Sequence, residues 1–180
     1  MMRDTLWAAF DQDAVVDYYH RMPNNTPYRT LPTSQRLTLV AHEIAHNRES
    51  RDGYIRSIVS RGGGFRPEKL RKWPPDQLAR EIVRHNLETP QDELSLMVAL
   101  YVELEPAIQI AFLDLAGVAR DGASIPDDLT PPFADAATVR HAAETLLQRH
   151  GGDARRYLRT ILLYNSEAWP GLADLVTQEP

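Results

Sequence analysis

Apolar residues in this chain recur at three- and four-residue intervals, in stretches closed by proline or glycine, and nowhere alternate over the length of a half-buried strand. That spacing predicts an all-α fold: about six or seven helices packed as one bundle over residues 1–180. Trp7, Phe10, Ala14 and Tyr18 predict a first helix from Asp4 to about Arg21, ended by Pro23, Asn24, Asn25 and Pro27. Tyr28 to Leu31 is the one stretch short and apolar enough for a brief strand. A second helix is expected after Thr33 or Ser34, either of which can cap it, with Leu37, Val40, Ala41, Ile44 and Ala45 as its apolar stripe and Asp52-Gly53 as its stop. Tyr54 to Ser60 then leads into Gly62-Gly63-Gly64, too flexible for a regular element.

Pro74-Pro75-Asp76 begins another helix through Leu78, Ile82 and Val83, because proline suits a first turn. Thr89-Pro90-Gln91-Asp92 has the form of a capping box and opens the most apolar segment, Leu94 to Ala116. Apolar almost all round, that segment is expected to be the buried central helix, kinked or split at Pro106. A loop is expected over 120–134, where Gly122, Pro126, Pro131 and Pro132 gather, and a helical hairpin over 135–168, turning at Gly151-Gly152.

The chain has no cysteine, which excludes disulfides, thiolate catalysis and cysteine-held zinc, so any metal rests on His, Asp or Glu. The acidic start, with Asp4, Asp11, Asp13 and Asp17, does not resemble a secretory leader, and Glu103, Glu105, Pro106, Gln109 and Asp114 interrupt the longest apolar stretch as a membrane span. A cytoplasmic, membrane-independent protein is the expectation. A net charge of -5 gives no global attraction to nucleic acid, and a peptide or protein is the expected substrate or partner. The exception is local: eight Arg and Lys residues lie between Arg48 and Lys72 against Glu49, Asp52 and Glu68, around the glycine triplet, as in a phosphate-binding loop. No Walker loop, nucleophile elbow or dinucleotide fingerprint is present.

One run carries specific chemistry. In His42-Glu43-Ile44-Ala45-His46 the histidines are four apart, so on a helix both imidazoles can reach one ion, while Glu43 lies about 100° further round, placed to act on a metal-bound water. Leu39 to His46 resembles the active-site helix of the zincin metallopeptidases, particularly the thermolysin-like gluzincins. The resemblance implies His42 and His46 as zinc ligands, Glu43 as general base, and a third ligand from a later helix. Glu81 is the first candidate for that ligand, since it shares a helix face with His85, and Glu103 the second. The competing expectation is a non-catalytic helical interaction protein in which the run is accidental: with six His, random placement yields it about once in a hundred such chains. On that view Glu81 and His85 are an ordinary helical pair.

Overall fold

The computed structural model describes residues 26–62 and 64–176, so the helix expected over Asp4 to Arg21 lies outside the described residues. The fold is all-α. Among the described residues eight α-helices follow one another: α1 (Thr33–His46), α2 (Arg48–Ser60), α3 (Pro67–Leu70), α4 (Pro75–His85), α5 (Pro90–Ala99), α6 (Ala107–Leu115), α7 (Ala136–Tyr164) and α8 (Ala173–Val176). Among the described residues strand pairing is limited to one isolated bridge, Asp121 with Ser124. Tyr28 to Leu31 is a turn, closed by Leu31 N–H donating to the Tyr28 carbonyl at 3.1 Å, not a strand. The residues gather into two compact units, Tyr28–Leu96 and the stretch from Met97 onward, a division not drawn from sequence.

In the first unit, α1 packs chiefly on α4. Helix α1 starts directly after Pro32 without a side-chain cap, so neither Thr33 nor Ser34 plays that part. It also stops earlier than expected, at His46. Asn47 turns extended and its side chain accepts from the amides of Glu49 and Ser50, which starts α2, and α2 then runs on through Asp52-Gly53. A good cap thus breaks the chain where a glycine does not. At the start of α5 the capping box forms: Thr89 N–H donates to Asp92 Oδ2 at 2.8 Å and Asp92 N–H to Thr89 Oγ1 at 3.1 Å.

In the second unit, the apolar segment splits at Pro106 as its missing amide requires. The end of α5 widens into a π turn over Leu100–Leu104, with Glu105 N–H donating to the Leu100 carbonyl at 2.7 Å, and the chain then bends by 83° into α6. No single helix among the described residues is long and apolar enough to cross a membrane. Helix α7 is kinked at Gly151, whose φ of 53° is open to glycine at little cost, so two helical pieces meet where the hairpin turn was expected. Tyr157 is buried beneath edge-on contacts with Tyr101 and Phe112, and Phe112 meets Trp169 the same way.

Candidate functional site

The buried face of α1 is Leu39, Val40, Glu43 and Ile44, rotated from the predicted stripe: Leu37 and Ala41 are half-buried and Ala45 is exposed. The rotation carries Glu43 inward, to 4% exposure. A carboxylate is costly to bury without partners. Ser50, held on the first turn of α2 by the Asn47 cap, donates its hydroxyl to Glu43 Oε1 at 2.7 Å.

His42 is half-buried and His46 exposed. Their rings are 4.2 Å apart between centroids and tilted by 33°. His46 Nδ1 lies 2.8 Å from the His42 carbonyl. A carbonyl only accepts, so Nδ1 carries the proton and Nε2 is left to face outward.

A zinc ion held by two such rings at about 2.0 to 2.1 Å, with tetrahedral angles, sets the ring centroids about 5 Å apart. The observed rings are closer than that. Glu81, the expected third ligand, instead pairs with His85 along α4, its Oε2 3.3 Å from His85 Nε2. Glu103, the second candidate, is exposed in the π turn of the other unit. Among the described residues no group of three His, Asp or Glu side chains is gathered in a way that could hold a metal ion. As arranged, then, the donors do not make the three-ligand set that an open zinc site needs.

Glu43 belongs to a different cluster, which the sequence did not reveal. Tyr28 donates its hydroxyl to Glu88 Oε1 at 2.6 Å, and Arg36 reaches the same oxygen at 3.2 Å while its guanidinium lies 4.9 Å from the centre of the Tyr28 ring. Arg29 pairs with Glu93 and donates to Asn86 Oδ1 at 2.6 Å. Glu88 and Glu93 are 5% and 2% exposed. Burial pushes the Tyr28 and Tyr54 phenols well above their usual range, and nearby carboxylates add to it, Glu88 for Tyr28 and Asp92 first for Tyr54. Asp92 is itself raised, by burial first and by Glu88 and Glu43, against the lowering by its hydrogen bonds from Thr89. The signal that could have located this cluster is the pair of arginines, Arg29 and Arg36, either side of the start of α1, but their partners lie more than fifty residues along the chain.

The basic segment is partly spent within the fold. Arg51 donates to the carbonyls of Arg71 and Trp73 at 3.1 and 2.7 Å, and Arg71 lies 3.7 Å from Asp52.

Comparisons with protein families, curated proteins and solved structures found no match. The zincin likeness therefore rests on Leu39 to His46 alone.

Proposed function

We propose that this chain is a non-catalytic helical interaction protein whose partner is a peptide or protein, and that the His-Glu-x-x-His run serves as an ordinary part of α1. One observation carries the reading: the glutamate that a hydrolase needs beside a metal-bound water is a buried residue bound to the Ser50 hydroxyl. The pairing of Glu81 with His85 supports it, because it occupies the expected third ligand. The test is zinc titration of the metal-free protein by calorimetry, alongside His42→Ala and His46→Ala. The expected result is no stoichiometric zinc at micromolar concentration. The opposite reading, a zinc-dependent peptidase, predicts about one zinc per chain, lost in either histidine variant and weakened in Glu81→Ala. In that case Glu43→Gln keeps the metal and loses peptide hydrolysis.

A further inference from the structure

We propose that the unit from Met97 onward carries a binding site for a small, uncharged, ring-bearing apolar molecule. This inference is independent of the motif helix, since every described residue of the site lies between Val98 and Trp169, in the other unit. The site is a partly open cavity of about 200 Å³. A cavity of about 150 Å³ lined by aliphatic and aromatic side chains is already large enough to take up benzene and stays dry when empty. The space here accommodates one further fused ring.

The wall chemistry sets the ligand class. Five aromatic rings, Tyr101, Phe133, Tyr157, Tyr164 and Trp169, line the cavity. They are held by one another: Tyr157 meets Tyr101 edge-on at 5.1 Å, and Trp169 meets Phe133 at 5.3 Å. Such a wall is preformed, so a guest need not order it. The lining side chains with polar groups are largely committed to the protein. Gln109 donates to the Ala123 carbonyl, Thr160 donates to the Arg156 carbonyl at 2.9 Å, and Asn165 Oδ1 accepts from the Ala168 amide at 3.1 Å. Burial pushes the Tyr164 phenol up to about 12, which keeps it uncharged at neutral pH.

Charge excludes anions. No Lys, Arg or His is among the described lining residues, and the one ionisable carboxylate among them, Asp127, is exposed and repels a negative guest. A fatty acid or nucleotide therefore meets no counter-ion among the described lining residues, whereas an uncharged ring loses only its contact with water.

The experiment is a titration of the full chain with naphthalene, and in parallel with 2-naphthoate, read by the ¹H–¹⁵N signals of the indole groups. The expected result is a saturable one-site shift of the Trp169 indole signal with naphthalene and none at Trp73, which lies in the other unit. Val102→Trp and Ile161→Trp each place a ring in the cavity from a different wall and should abolish the shift while retaining wild-type far-ultraviolet dichroism. Naphthalene should also raise the melting temperature of the wild type but not of either filled variant. Absence of saturation in the wild type overturns the site, whatever the variants do. Binding that survives both fillings overturns its location, and 2-naphthoate binding as tightly as naphthalene overturns the ligand class.

Discussion

Ser50 Oγ and Glu43 Oε1 are 2.7 Å apart, and this hydrogen bond joins the first turn of α2 to the buried face of α1. It ties the Glu43 carboxylate into the packing of the first unit. Ser50→Ala leaves a buried carboxylate one donor short and should cost about 1 to 3 kcal/mol in urea unfolding. A double-mutant cycle with Glu43→Gln should show coupling between the two positions, and additive effects would mean that the contact contributes nothing.

Arg36 and Glu88 supply a second test of the same unit. Replacing Arg36 by Met removes the guanidinium from Glu88 and from the face of Tyr28, and leaves the Glu88 carboxylate, 5% exposed, held by the Tyr28 hydroxyl without its counter-charge. Stripping one partner from a buried ion pair costs about 3 to 5 kcal/mol. The double variant Arg36→Met with Glu88→Gln should recover part of that loss, measured by denaturant midpoint at constant slope.

The start of α2 depends on one side chain. Asn47 accepts from Glu49 N–H at 3.0 Å and from Ser50 N–H at 3.1 Å, so Asn47→Ala should cost about 1 kcal/mol and Asn47→Asp much less. Because Ser50 is placed by this cap, Asn47→Ala should also weaken the coupling measured between Ser50 and Glu43. Unchanged coupling would show that Ser50 is positioned by other means.

Asp92 gives a pH dependence of definite sign. Its folded pKa is raised, by burial first, so the folded chain holds a proton that the unfolded chain releases. Its stabilising share is full below the unfolded value of 3.8 and is lost as pH rises through the folded value. Asp114 and Asp135, lowered by Arg120 and by the Thr138 hydrogen bonds respectively, act in the opposite direction: their share is present above 3.8 and lost as pH falls. The sign for Asp92 is therefore read from the difference between wild type and Asp92→Asn. Relative to the variant, the wild type should lose stability from just below pH 4 upward, and a difference that is flat across that range would overturn the assignment.

The basic segment should bind heparin weakly and release it at moderate salt. Arg51 and Arg71 are engaged within the fold, and the remaining charges act on a polyanion through screened attraction. Salt-resistant, sequence-selective binding to DNA or RNA would show a built nucleic-acid site instead.

By itself the sequence determined the helical class, the capping box at Thr89 and Asp92, the break at Pro106 and the interruption at Gly151. Each follows from chemistry within a few residues: a missing amide, a side chain three positions from the amide it caps, a glycine free to take a positive φ. The tertiary structure decided which side of the His-Glu-x-x-His helix is buried. Which way α1 rolls is set by its packing on α4 and by whether a donor waits inside for Glu43, and that donor, Ser50, depends on a helix break at Asn47 that outweighs the Asp52-Gly53 stop. The partners of Arg29 and Arg36 and the aromatic walls around Tyr157 are likewise made by residues far apart in the chain. Local spacing places side chains on a helix face. Only packing determines what that face meets.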